Sequence, residues 1–219
     1  MLLVFDFDGT LVDSIRDLAE SASELSALYG GGRLDSRTVT LMVGEGAHTL
    51  VERILEQAGV KEARPEALSR FLEIYDRRML DHTVPYVGMI ETLTMLSQTC
   101  QLAMLTNKPE QATRRIMSFT GLDRFFDDCV FGDGPLPRKP DAAGLQWLMR
   151  RHAASAAQTW LVGDSEIDLA TARAAGVQVC LARYGFGFAR VDTTTLHDGD
   201  IIIDRPEDLL TALQDKGRQ

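Results

Sequence analysis

The chain has 219 residues, 45% hydrophobic and 25% charged, which suits one large domain or a domain with a sizeable insertion and a core of its own. Thirty-two acidic against 23 basic residues give a formal net charge of -9. That balance excludes broad binding to nucleic acid or to an anionic membrane surface, and any anionic ligand must be captured by local cations.

Residues 2–6 read as a first strand that runs into "DFDGT", with Asp6 and Asp8 just before Gly9 and Thr10. Side chains two apart on a strand share a face, so this pair repels unless a cation or a shared proton offsets the charge, whereas a solvated Asp-Gly turn is the plain alternative. The apolar run is too short for a signal peptide and lacks a basic flank. No stretch approaches the roughly eighteen apolar residues of a spanning helix, so the expected location is the cytoplasm.

Three apolar stripes at helical spacing follow: Ile15, Leu18, Ala22, Leu25 and Tyr29; Ala47, Leu50, Val51, Ile54, Leu55 and Ala58; and Leu68, Phe71, Leu72, Tyr75 and Met79, started by Pro65. They predict a small helical bundle inserted after the first strand. Residues 81–88 form the return linker, and the bundle is placed to move as a lid. Further strands are expected at 101–106, 128–132, 159–163, 177–182 and 200–204. Helical patterns lie between most of them, including 110–121 with Ala112, Ile116 and Phe119 on one face. Strand and helix alternation of this kind predicts an α/β fold built on a doubly wound parallel sheet.

In such sheets ligands bind at the carboxyl ends of the strands, where four polar motifs fall: "DFDGT" (6–10), "TNK" (106–108), "KP" (139–140) and "GDSEID" (163–168). Asp6, Asp8 and Asp164 offer oxygen ligands for a hard cation, with Mg²⁺ expected because it bridges protein carboxylates and phosphate. With part of the charge neutralised, one aspartate can attack phosphorus and the other can exchange a proton with the leaving group. Thr106 and Lys139 supply a hydroxyl donor and a positive charge for phosphoryl oxygens.

Together "DFDGTLVDS", "TNKP", "RKP" and "GDSEIDLATARAAG" resemble, in order and spacing, the motifs of the haloacid-dehalogenase superfamily of Mg²⁺ phosphohydrolases. The inserted helices, "VGEGAHTLVERIL" (43–55) and "PYVGMIETL" extend the resemblance to its phosphoglycolate phosphatase branch over nearly the whole chain. The resemblance implies a Rossmann-like core at 1–13 and 83–219 and an α-helical cap at 14–82. It makes Asp6 the nucleophile, Asp8 the general acid and base, and Asp164 a metal ligand together with Asp6 and the backbone carbonyl of Asp8. Gly9, Thr106, the amide of Asn107 and Lys139 then bind the phosphoryl group. Gly44 and Gly46 face the substrate, with Glu45 turned outward toward Arg53. Asp8 also argues against carbon–halogen cleavage, since a halide leaving group needs no proton.

The implied reaction is hydrolysis of a small phosphorylated metabolite, with 2-phosphoglycolate the first choice. The rivals are phosphoryl transfer of the β-phosphoglucomutase type, an inorganic pyrophosphatase, and a non-enzymatic phosphate-binding partner protein. A monomer or a homodimer is expected.

Several residues read two ways. Asp168 is either close to the metal or a helix first-turn acid favoured by the dipole. Lys108 either projects toward substrate or solvates a loop. Residues 183–190, "RYGFGFAR", read as a turn at the rim, with a role in shaping the site as the second reading, and Trp147 and Trp160 as core. Cys100, Cys129 and Cys180, odd in number, read as buried thiols in a reducing compartment, and the four histidines lack metal-ligand spacing.

Overall fold

A computed structural model describes residues 1–61 and 64–216. In chain order its main elements are β1 (Leu2–Phe5), β2 (Val12–Asp13), α1 (Ile15–Leu28), α2 (Ser36–Thr40), α3 (Ala47–Gln57), α4 (Glu66–Arg78), β3 (Val84–Pro85), α5 (Met89–Leu96), β4 (Gln101–Leu105), α6 (Glu110–Thr120), β5 (Asp128–Val130), α7 (Ala143–Arg151), β6 (Thr159–Gly163), α8 (Glu166–Ala175), β7 (Gln178–Ala182), β8 (Ile201–Ile203) and α9 (Asp208–Lys216). All six expected strands form one parallel sheet in the order β5-β4-β1-β6-β7-β8.

β1 is central: Phe5 pairs with Met104 of β4 on one side and Val162 of β6 on the other. The chain builds outward from β1 in both directions, which puts the switch in strand order at the carboxyl end of β1. Because strand side chains alternate, Leu3 and Phe5 enter the core that holds α1, α3 and α4, while Leu2 and Val4 enter the opposite one with Leu145, Leu148 and Leu169. Both faces are covered, which explains why β1 reads as an unbroken apolar run.

The helices α1–α4 fall between β2 and β3, and α1 packs against the other three. β2 and β3 pair antiparallel, Val12 opposite Pro85 and Asp13 opposite Val84, so the entry and exit of this insertion lie side by side. Asp17 pins the stem. It is fully buried, and its carboxylate accepts from the backbone N–H of His82 (3.0 Å), the backbone N–H of Thr83 (2.8 Å) and the Thr83 hydroxyl (2.8 Å). Residues 81–88, expected to be a plain linker, therefore carry a strand.

Some side chains depart from expectation. Phe119 is exposed, because it lies in the last turn of α6 before the Gly121 cap, and Met117 takes the buried place instead. Trp160 is core, but Trp147 on α7 is about one-third exposed. Cys180 is buried, whereas Cys100 and Cys129 are only partly so. Among the described residues no helix is long and apolar enough to cross a membrane.

Candidate active site

The four motifs converge on one wall at the carboxyl ends of β1, β4 and β6. Asp6 directly follows β1, tied to the sheet by its N–H to the Val162 carbonyl at 2.8 Å. Asp164 directly follows β6 and is 2% exposed. Gly9 lets these two loops touch: its φ is +84°, and a Cβ there would lie 2.1 Å from Asp164 Oδ2. Asp164 Oδ2 accepts the Gly187 N–H at 2.8 Å, and Oδ1 accepts the Thr10 hydroxyl at 3.3 Å.

Lys139, 4% exposed, reaches in from the loop after β5. Its Nζ lies 2.8 Å from Asp6 Oδ1 and 2.6 Å from Asp168 Oδ1. Asp168 is a first-turn acid of α8, where it closes a capping box with Ser165, and it also holds the lysine. Burial opposes charge on Lys139, but the carboxylates of Asp168 and Asp6 outweigh it and hold its pKa above the ordinary value.

Carboxylate oxygens of Asp6, Asp164 and Asp168 come within 4.8 Å of one another, with Lys139 as the ammonium among them. Burial pushes the Asp6 carboxyl up to about 6 despite Lys139. Burial, then the charges of Asp168 and Asp6, push Asp164 well above the usual carboxylate range. Three carboxylates facing one lysine leave an excess of negative charge that a hard divalent cation fits in charge and in donor type. Asp168 has its oxygens engaged by Lys139 and by Ser165, while Asp164 accepts from the Thr10 hydroxyl and the Gly187 N–H, and Asp6 meets Lys139 through one oxygen.

Asp8 is served differently from Asp6. Its Oδ1 accepts the Ser14 hydroxyl at 2.6 Å, and both oxygens lie 3.0 Å from Lys108 Nζ. Lys108 is 7% exposed, so it does not solvate a loop, and its Nζ also donates to the Tyr75 hydroxyl on α4 at 2.6 Å. The Asp8 carboxylate thus already has Lys108 and Ser14 as partners.

Thr106 is buried at the end of β4 and its hydroxyl accepts the Lys108 N–H at 3.2 Å. The Asn107 side chain is a brace: Nδ2 donates to the carbonyls of Gly44 (2.8 Å) and Lys139 (2.9 Å), and Oδ1 accepts the Lys139 N–H at 2.9 Å. Gly44 and Gly46 both line the cleft, with φ of +124° and +93°, while Glu45 pairs with Arg53 outside it.

Residues 183–190 are part of the wall and not a mere turn. A Cβ on Gly185 would sit 2.2 Å from that of Asp164, and Arg190 hydrogen-bonds the Leu41 carbonyl at 2.9 Å across the cleft. The Gly185 and Gly187 spacing was the available signal. On the side of the inserted helices the cleft is lined by Leu18, Leu50, Phe71, Leu72 and Tyr75.

Residues 3–182 match the family model described as haloacid dehalogenase-like hydrolase. This chain belongs to that family. It is 31% identical over 219 residues to the phosphoglycolate phosphatase of Photobacterium profundum, covering 97% of this chain and 95% of that one. To the phosphoglycolate phosphatase of Pseudomonas syringae it is 38% identical over 195 residues, 86% of this chain and 71% of the relative. The crystal structure of a predicted phosphoglycolate phosphatase from Haemophilus somnus superposes with a TM-score of 0.88 at 28% identity, covering 97% of each chain. The parallel sheet with the switch point at β1 is thus the hydrolase core of this family, and the chain is an enzyme of it.

Proposed function

We propose that this hydrolase cleaves a small phosphate monoester with the help of Mg²⁺, carrying the phosphoryl group transiently on Asp6, and that 2-phosphoglycolate is the ester. The observation that carries the reading is that two carboxylates only two residues apart are held by different partners: Asp6 by Lys139 beside Asp164, Asp8 by Lys108 and Ser14. Differently served carboxylates take different roles.

Lys139 fixes Asp6 Oδ1, leaving the other oxygen to attack phosphorus. As the ester P–O bond breaks, Asp8 gives the leaving oxygen its proton. It then takes one from the water that attacks the phosphoryl group and frees Asp6. Thr106, the backbone around Gly9 and Asn107, and Lys139 receive the phosphoryl oxygens. A bound Mg²⁺, held by Asp6, Asp164 and the Asp8 carbonyl, would supply the Lewis-acid charge that draws phosphate into a protein of net charge -9. Residues 14–82 act as the cap that shields the reaction from bulk water.

Similarity to phosphatases of phosphoglycolate supports the substrate. A kcat/KM panel with Mg²⁺ across 2-phosphoglycolate, sugar phosphates, nucleoside monophosphates and pyrophosphate tests it. Highest efficiency on 2-phosphoglycolate is expected. A sugar phosphate or pyrophosphate preferred by tenfold or more would overturn the substrate, and no phosphate release from any ester would overturn the hydrolysis itself.

A further inference from the structure

Asp6 and Asp8 are each held by a lysine, and each lysine is held in turn by a third group. Lys139 Nζ lies 2.8 Å from Asp6, and Asp168 takes the same ammonium at 2.6 Å. Lys108 Nζ lies 3.0 Å from both oxygens of Asp8, and it donates to the Tyr75 hydroxyl at 2.6 Å. The three donors of the Lys108 ammonium are all committed, two to the carboxylate and one to a residue of the inserted helices.

A lysine's flexible four-carbon stem cannot by itself aim a carboxylate, so whatever fixes the ammonium also decides how Asp8 points. Tyr75 is built to be that fixed point. It is 3% exposed and stacked on Phe71, with ring centroids 5.9 Å apart and planes 4° from parallel, and its own ring centroid lies 4.5 Å from Lys108 Nζ. The next residue, Asp76, ties α4 to α6 of the core: its carbonyl accepts from Arg115 at 3.2 Å and its carboxylate pairs with the same guanidinium. Being a neutral hydroxyl, Tyr75 holds the ammonium without drawing its charge away from Asp8, as a carboxylate would.

We infer that Tyr75 is a positioning residue for the proton transfer: acting through Lys108, it fixes the Asp8 carboxyl where the leaving oxygen of the ester departs. The inference rests on the phosphatase reading above and adds to it the residue that aims its acid.

The test is Tyr75→Phe, which keeps the buried ring and removes only the hydroxyl. It is read as kcat/KM on p-nitrophenyl phosphate, phenyl phosphate and 2-phosphoglycolate, whose leaving oxygens need a proton increasingly in that order. This quantity ends with departure of the leaving group, so the later attack of water, common to all three, does not enter it. Since a misplacement of about 1 Å costs about 100-fold, the loss on 2-phosphoglycolate should be about 10- to 100-fold and should exceed the loss on p-nitrophenyl phosphate at least about fivefold, with phenyl phosphate between them. A poorly folded fraction lowers all three alike and cancels in the ratio. The route through Lys108 is read by a double-mutant cycle: in Lys108→Met, adding Tyr75→Phe should lower kcat/KM on 2-phosphoglycolate by less than about twofold more. Should Lys108→Met not fold, Asp8→Asn serves as the background with the same expectation. Equal losses on the three esters, a loss confined to 2-phosphoglycolate, no loss at all, or additive losses in the cycle would overturn the assignment and leave the phosphatase reading standing. Absence of phosphate release from every ester by the wild type would overturn both.

Discussion

Removing the cation should weaken the fold in a pH-dependent way, because the acidic cluster is under-compensated by the protein alone. For Asp6 the unfolded reference is 3.8 and the metal-free folded value about 6. Between those values the native state binds more protons than the unfolded one, so metal-free stability falls as pH rises through the window and levels off above it. The full cost is about 3 kcal/mol for a shift of roughly two units. About 2 kcal/mol of it develops between about pH 4.5 and pH 7.5. Asp164, whose carboxyl is also raised by burial, adds to the cost with the same sign. Mg²⁺ fills the deficit only where the carboxylates are ionised. The gain in Tm on adding saturating Mg²⁺ to EDTA-treated protein should therefore be larger at about pH 7.5 than at about pH 4.5, by roughly 4 to 8 °C. Thermal unfolding with and without the ion at each pH measures this, and subtraction cancels carboxyls elsewhere, such as Asp200, whose pKa lies below the usual range. An equal gain at both values, or none at either, would refute the placement of a divalent cation among these carboxylates.

Asp8→Asn should lose about 10² to 10⁴ in rate on alkyl phosphates but much less on p-nitrophenyl phosphate, whose leaving group needs no acid; equal losses in steady-state assays would contradict the proton-transfer role. Glu45→Gln should change kcat/KM for 2-phosphoglycolate less than about threefold, since Glu45 pairs with Arg53 outside the cleft, and a large gain would mean that it faces substrate. Asp17→Ala should cost about 3 kcal/mol in denaturant unfolding, because it strands the buried N–H groups of His82 and Thr83; a loss under about 1 kcal/mol would show that the stem does not depend on that carboxylate.

The sheet and the chemical wall were legible in the sequence because both are local patterns. Each strand of a covered parallel sheet is an apolar run, and each motif sits directly after one, so Asp6, Thr106 and Asp164 could be placed at a common rim from strand ends alone. What stayed hidden depends on contacts between distant segments. Lys108 has no local signature for burial, and its ammonium is held by groups distant in sequence, Asp8 after β1 and Tyr75 on α4. β2 and β3 are two residues each, stabilised by pairing with one another and not by alternation within either. α2, five residues long and capped by Asp35, is too short to show a helical period. "RYGFGFAR" reads as a turn because its function is negative: Gly185 and Gly187 matter for the side chains they lack, which leave space for Asp164.

The most direct test of the central claim is to stop the reaction after phosphorus has left the ester. Wild-type enzyme, quenched in acid during turnover of the preferred ester, should yield a phosphoryl adduct on the peptide that contains Asp6. Asp6→Asn should give neither adduct nor turnover while keeping its thermal unfolding profile. An adduct on any other residue, or near-normal turnover by Asp6→Asn, would contradict the account.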